Sequence, residues 1–277
     1  MEWLEVFKAV LFGLIEGITE WLPVSSTGHM ILLDQFVTLN LSAEFKSLFL
    51  VVIQLGAILA VVVLFWPQIF PLKKKAGRGL YLDRPIISLW LKIIVACLPA
   101  AVIGIFFEDQ IDALFYNPWT VSIMLILIGI CFILIEEYNK KRTVKLKETS
   151  QISYKLALMI GLFQVLAAVF PGTSRSGATI LGGILLGMSR QLAAEFTFFL
   201  AIPVMFGASL LRLLKMDFSL MGELEWMVLL VGSLVAFAVS YLVINFLLAY
   251  VKKHDFKVFA YYRIALGVLL IAYFALF

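Results

Sequence analysis

The sequence predicts an all-α polytopic membrane protein: six transmembrane helices plus two re-entrant helical hairpins, arranged as an inverted-topology repeat. Three observations lead there. Hydrophobic residues make up 63% of the 277 and charged residues only 14%, against about 25% charged in a soluble domain, and the mean hydropathy is +1.04. Six apolar stretches are long enough to cross a bilayer, which takes about 20 helical residues. Two further apolar segments are broken by proline, glycine and hydroxyl residues at matching places in the two halves. No polar block is long enough to fold alone, so residues 1–277 read as one membrane domain.

Residues 6–22 (VFKAVLFGLIEGITEWL) read as a helix that carries two glutamates and ends at Pro23. A polar break, Val24-Ser25-Ser26-Thr27-Gly28-His29, precedes the short apolar run from Met30 to Leu33. Neither half can span, and irregular backbone at membrane depth is tolerated only where protein or water lines it. Residues 6–35 are therefore expected to form a re-entrant hairpin. Spans follow at about 45–65, 86–107 and 119–137, completing a first repeat over 1–137. The second repeat, 155–277, opens with a hairpin at 155–188 and continues with spans at about 193–214, 225–250 and 258–277. Pro99 and Pro203 fall inside spans, where kinks need no functional reason. The first apolar run follows Glu2 and Glu5 with neither a basic leader nor a small-residue cleavage site, so no cleaved signal is expected.

Gly13, Glu16, Pro23, Ser25 and Ser26 align with Gly161, Gln164, Pro171, Thr173 and Ser174 at one constant offset. Glu44-Phe45 and Gly56-Ala57 match Glu195-Phe196 and Gly207-Ala208 at a slightly larger one. Each half is thus one hairpin plus three spans. Three is odd, so the second half enters the membrane upside down, with the two broken hairpins meeting near the midplane at a binding site. The loop charges agree. Lys73, Lys74, Lys75, Arg78 and Arg84, then Lys140, Lys141, Arg142, Lys145 and Lys147, then Lys252, Lys253 and Lys257 fall on one face if there are six spans. Glu108, Asp109 and Asp112, with Asp217, Glu223 and Glu225, fall on the other. By the positive-inside rule the basic face is cytoplasmic and both termini lie outside. This pattern signals orientation and argues against a nucleic-acid partner. Cys97 and Cys131 lie in apolar runs and give neither a disulfide framework nor a metal motif.

The second break, Pro171-Gly172-Thr173-Ser174-Arg175-Ser176-Gly177-Ala178-Thr179, reads as an anion cradle. Gly172 lets the backbone approach a ligand closely. Thr173 or Ser174 can cap the helix that follows, whose first-turn N–H groups then face an anion. Arg175 adds a planar fork of donors suited to phosphate, amid the hydroxyls of Thr173, Ser174, Ser176 and Thr179. A capped helix with a snorkelling arginine would explain this motif taken alone, but a second break stands near the N-terminus. There Glu16 and Glu20 share a helix face four residues apart. Two buried carboxylates repel and persist when a cation or a shared proton neutralises them. A divalent cation (Mg or Ca) held by Glu16 and Glu20 would also screen a substrate phosphate. Glutamates turned to interfacial water are the plainer alternative. His29 lies three residues beyond Ser26, within reach of it as the base a hydroxyl nucleophile needs. Ser25, Ser26 and Thr27 can equally cap the second half-helix. His254, in a basic loop, is assigned no chemistry. A phosphate-binding arginine, a nucleophile with a base and two carboxylates at membrane depth suggest phosphoryl transfer on an amphiphile.

The stretches from Glu16 to His29 (EGITEWLPVSSTGH) and from Pro171 to Thr179 (PGTSRSGAT) closely resemble the two signature motifs of the bacterial undecaprenyl-pyrophosphate phosphatases, integral membrane enzymes linked to bacitracin resistance. The likeness runs the full length. The resemblance implies dephosphorylation of undecaprenyl pyrophosphate to undecaprenyl phosphate and inorganic phosphate, which recycles the lipid carrier for peptidoglycan and other envelope polymers. It implies Ser26 as nucleophile, His29 as general base, and Glu16 and Glu20 as an acidic pair handling a divalent cation or a proton. Arg175, with Thr173, Ser174 and Ser176, matches the pyrophosphate clamp. Ser25, Thr27, Gly172 and Thr179 complete the expected substrate-binding set. The implied site opens to the outer face of the bacterial cytoplasmic membrane. Expected partners are the polyprenyl pyrophosphate, membrane lipids and a second copy in a homodimer. A polyprenyl-phosphate transporter or flippase is the alternative, because inverted repeats with broken hairpins are typical of transporters. A serine, a histidine and an acidic pair converging on a phosphate clamp favour the enzyme.

Overall fold

The computed structural model describes residues 2–75, 79–218 and 221–276. Arg78, counted above in the first basic loop, lies outside them. The elements run α1 (Glu2–Thr19), α2 (Ser26–Phe36), α3 (Ala43–Leu64), a one-turn α4 (Trp66–Ile69), β1 (Leu72–Lys75), β2 (Gly79–Leu82), α5 (Arg84–Phe115) and α6 (Pro118–Lys140). After a 3-10 turn at Thr149–Gln151 come α7 (Tyr154–Val169), α8 (Arg175–Leu185), α9 (Arg190–Lys215), α10 (Glu223–Val251) and α11 (Lys257–Leu276). The helices start where the sequence supplies caps. Ser42, Asp83, Asn117, Ser153 and Ser189 each accept a first-turn N–H of α3, α5, α6, α7 and α9.

Among the described residues six helices, α3, α5, α6, α9, α10 and α11, are long and apolar enough to cross a membrane, so the chain is a multi-pass membrane protein. Two local features differ from expectation. Helix α5 runs on to Phe115, which puts Glu108, Asp109 and Asp112 in helix instead of loop. Beyond Gly104 no proline or glycine occurs until Asn117-Pro118, and Pro disfavours helix at the residue before it. The first basic loop also folds as an antiparallel ribbon, pairing Leu72 with Leu82 and Lys74 with Leu80. Four residues a side with lysines interspersed is too weak an alternation to read as strand from sequence.

Both broken segments return to where they began. In the first, Glu5 Oε2 accepts the Asn40 N–H (2.9 Å), and Lys8 Nζ donates to the Thr38 carbonyl (2.7 Å), so the chain leaving α2 meets the start of α1. In the second, the Lys145 and Leu146 N–H groups donate to the Gly187 carbonyl, both at 3.1 Å, so the chain leaving α8 meets the loop that feeds α7. Three of the long apolar helices, α3, α5 and α6, lie between the two in sequence, which is compatible with the inverted repeat. The packing exchanges partners in the same sense: α1 lies along α10, α7 lies along α5, α3 packs on α9 and α6 on α11. Glycine permits the closest of these approaches. A Cβ at Gly13 would lie 2.4 Å from the Gly232 carbonyl oxygen, and one at Gly161 would lie 2.3 Å from that of Ala96.

At the basic end, Glu136 is fully buried near the end of α6. It takes two contacts from Arg190 Nε (2.9 and 3.1 Å) and one from the Phe256 N–H (3.1 Å), tying together α6, α9 and α11. Alongside, Lys257 pairs with Glu137. Glu136→Ala is expected to destabilise the fold by about 2–3 kcal/mol, below the roughly 3–5 kcal/mol of a fully buried pair, because the Arg190 side chain is 34% exposed. Thermal unfolding in detergent checks this, and an unshifted midpoint would remove Glu136 from the structural account.

Candidate active site

Two unwound turns build the site. Proline and glycine stop α1 and α7, and each chain restarts as an 11-residue helix capped by a serine. Ser25 Oγ accepts the Gly28 N–H (3.3 Å), and Ser174 Oγ accepts the Gly177 N–H (3.1 Å). These two serines are the only non-glycine residues with positive φ among the described residues, at 73° and 70°. Such strained backbone persists where surrounding structure dictates it. The match also corrects the register of the repeat. Ser25 is equivalent to Ser174, not to Thr173, because the second break holds one extra residue. Ser26 and Arg175 therefore occupy equivalent first positions of α2 and α8. Of the two candidates for the second cap, Ser174 is the cap, while the Thr173 side chain is buried with its Oγ1 unpartnered. Gly172 has φ 90°, and its bare face meets α6: a Cβ there would lie 2.5 Å from the Val121 carbonyl oxygen. The close approach it allows is to protein backbone.

Glu20 is the hub. Ser26 Oγ donates to its Oε2 at 2.6 Å, and Arg175 Nη2 donates to its Oε1 at 2.9 Å. Arg175 Nη1 also donates to the Thr197 carbonyl (3.1 Å), fixing the guanidinium from α9. Thr179 stands behind it, donating to the Arg175 carbonyl (2.9 Å) and lying 2.8 Å from Thr197 Oγ1. Ser176 Oγ reaches across to the Glu20 carbonyl at 3.0 Å and lies 3.0 Å from Ser174 Oγ. Trp21, buried beside Glu20, packs edge-on against Phe198 (5.3 Å between centroids), next to Thr197. The acid, the hydroxyl and the arginine thus come from both halves and meet within hydrogen-bond range.

The expected pairing of Ser26 with His29 is not present. His29 Nδ1 lies 2.7 Å from the Ser25 carbonyl, which can only accept, so Nδ1 carries a proton. Its Nε2 faces the Tyr262 hydroxyl at 2.6 Å. The base in contact with Ser26 is Glu20. Thr27 lies half-buried in the first turn of α2 and, among the described residues, makes no side-chain hydrogen bond. Glu16 is buried, 1% exposed, with Oε1 unpartnered. No group of three or more His, Cys, Asp or Glu suited to a metal occurs among the described residues. The pair Glu16 and Glu20 nevertheless suits a magnesium-like ion, which commonly takes one or two carboxylates and completes its shell with substrate phosphate and water.

Sequence reasoning missed Thr197, Tyr262 and Arg263. Thr197 and Tyr262 carry no signal in an apolar span. Arg263 does: it is an ionisable residue well inside the last span, which marks it for attention by default. It is fully buried and bonds the carbonyls of both unwound turns.

The family of bacitracin resistance protein BacA matches residues 9–269 of this sequence. The chain belongs to this family. Among its relatives, an undecaprenyl-diphosphatase of Desulfitobacterium hafniense is 58% identical over 275 residues, covering 99% of this chain and 98% of the relative. An undecaprenyl-diphosphatase of Enterococcus faecalis is 55% identical over 271 residues, covering 98% of each. One of Streptococcus mutans is 53% identical over 277 residues, covering 99% of this chain and 97% of the relative. The match to the BacA family takes in both unwound turns and Arg263.

Proposed function

We propose that this chain hydrolyses undecaprenyl pyrophosphate to undecaprenyl phosphate and inorganic phosphate, as the names of its full-length relatives indicate. The observation that carries the chemistry is the Glu20 carboxylate, bonded at once to the Ser26 hydroxyl and to Arg175. Ser26 Oγ attacks the terminal phosphorus while Glu20 Oε2 accepts its proton. The bond from phosphorus to the bridging oxygen breaks, and the lipid monophosphate departs with the proton that Glu20 hands to its bridging oxygen, which returns Glu20 to the carboxylate. Water then attacks the phosphoserine, Glu20 takes a proton from it and gives it to Ser26 Oγ as the bond from phosphorus to Oγ breaks, and inorganic phosphate leaves. Arg175 clamps the pyrophosphate, whose charge competes with Glu20 for the guanidinium. The first-turn N–H groups of α2 and α8 add preorganised donors for the charge that builds on phosphorus oxygens. His29 holds the start of α2 through Ser25 and meets Tyr262.

Glu16 and Glu20 are the residues that would hold a divalent cation. When bound, the cation screens the phosphate charge. Glu16, with its unpartnered oxygen, has the free capacity for it. In this reading the halves sit in the bacterial cytoplasmic membrane with opposite topology, basic loops inside and both termini outside, so that the site faces the outer side. Every residue of the site comes from one chain, so a homodimer is compatible with this chemistry without being needed for it. Relatives named as diphosphatases disfavour the transporter alternative.

Phosphate release from the detergent-purified chain, given a long-chain polyprenyl pyrophosphate with and without EDTA, tests the proposal. Release that EDTA suppresses is expected. No release from folded protein would overturn the hydrolase reading, and release indifferent to EDTA would overturn the cation.

A further inference from the structure

Arg263 has no part in the scheme above, and the inference about it rests on that phosphatase reading. It sits in α11, whose only other charged residue is Lys257 at the start. A guanidinium buried in a membrane protein ordinarily pairs with a carboxylate. Among the described residues Arg263 forms no ion pair. Its hydrogen bonds go to backbone carbonyls instead. Nη1 donates to Pro23 (3.0 Å), and Nη2 donates to Gly172 and Thr173 (2.9 Å each). Longer contacts from Nε and Nη2 reach Leu125 (3.4 Å) and Met124 (3.5 Å) of α6.

The choice of carbonyls carries the argument. Pro23 belongs to the first unwound turn, and Gly172 and Thr173 belong to the second. Unwinding a helix frees carbonyls that lipid cannot satisfy, and one planar fork of five donors answers both turns together. The guanidinium also lies against the anion-facing turn of α8, since a Cβ at Gly177 would lie 3.3 Å from Nη1. One side chain therefore fixes the distance between Ser26, at the start of α2, and Arg175, at the start of α8. It does so with a positive charge that no carboxylate cancels, directly behind the place where pyrophosphate charge gathers.

We propose that Arg263 is the positioning residue of this active site, setting the two half-helix starts in register and adding positive potential to the pyrophosphate they face. Fork and charge separate by substitution: Arg263→Lys keeps the charge and loses the fork, whereas Arg263→Met loses both. Each full-length variant is purified in detergent beside wild type. Folding is followed by thermal unfolding, kcat and KM with polyprenyl pyrophosphate, and Ki with inorganic pyrophosphate. Arg263→Lys is expected to melt cooperatively, hold KM and Ki within about threefold, and lose about 10–100-fold in kcat, the effect of misplacing reacting groups by a fraction of an ångström to an ångström. Arg263→Met is expected to lose about 1,000-fold in kcat and to raise the pyrophosphate Ki about tenfold or more, because the charge is gone too.

A folded Arg263→Lys with kcat within threefold of wild type would overturn the proposal. So would an Arg263→Lys that does not fold, which would make Arg263 a purely structural anchor. A kcat loss that only tracks the folded fraction counts the same way. If wild type itself released no phosphate, the phosphatase reading would fall instead, so the two failures are distinguishable.

Discussion

Glu20→Gln is expected to lower kcat by about 1,000-fold without raising KM, within the range ascribed to a positioned general base. The amide is nearly isosteric, but it cannot accept from both of the carboxylate's partners. Turned with its oxygen to Ser26, it presents NH2 to Arg175 Nη2, donor against donor. Turned the other way, its NH2 donates to Ser26 Oγ, reversing the 2.6 Å hydrogen bond that Ser26 makes to the carboxylate. In neither pose can it take the serine proton. Glu20 also competes with substrate phosphate for Arg175, and Glu16 stays to hold the proposed cation, so removing the Glu20 charge leaves binding intact or stronger while turnover falls. That split between kcat and KM identifies an interaction made in the transition state. The readout is phosphate release per folded protein over a substrate range. Activity within tenfold of wild type would pass the base role to His29 or to water.

Arg175→Ala is expected to cut kcat/KM by about 1,000-fold or more and to raise the Ki of inorganic pyrophosphate, because the clamp binds ground state and transition state alike. Arg175→Lys should recover only part of this. An ammonium keeps the charge but cannot bridge Glu20 Oε1 and the Thr197 carbonyl together, as the two ends of the guanidinium do. Folding should survive both changes, since Ser26 still donates to Glu20 and the Ser174 cap is untouched. An Arg175→Ala chain with unchanged pyrophosphate inhibition would remove Arg175 from the clamp.

The parts legible in the sequence were those that periodicity and composition encode. Six apolar runs became six long helices because their length and hydropathy leave no other way to satisfy the backbone. Pro23 and Gly172 marked the unwound turns because proline and glycine break helices whatever surrounds them. Glu20, Ser26 and Arg175 were legible as polar groups that an apolar segment has no structural use for. The pairing among them was not. Ser26 looked closer to His29, three residues away in sequence, than to Glu20, six residues back across a turn whose left-handed serine no local rule announces. The register of the repeat slipped by one for a related reason: an extra residue in a non-helical turn leaves no periodic trace. Thr197 contributes through a backbone carbonyl, which any residue type would offer. The ribbon at β1 and β2 depends on a few paired backbone groups in a basic loop and carries almost no pattern.

The cap equivalence of Ser25 and Ser174 bears on how many substrates one chain can process. Duplicated halves could in principle furnish a pair of reaction centres. Here Ser26, the proposed nucleophile, stands at the start of one half-helix and Arg175, the proposed anion clamp, at the equivalent place of the other. Both converge on Glu20, whereas the hairpin of the second half has Gln164 at the position of Glu16 and no acid. On the proposed roles, division of labour between the halves leaves a stoichiometry of one: a single lipid headgroup would engage both at once, and neither would be a complete catalyst by itself.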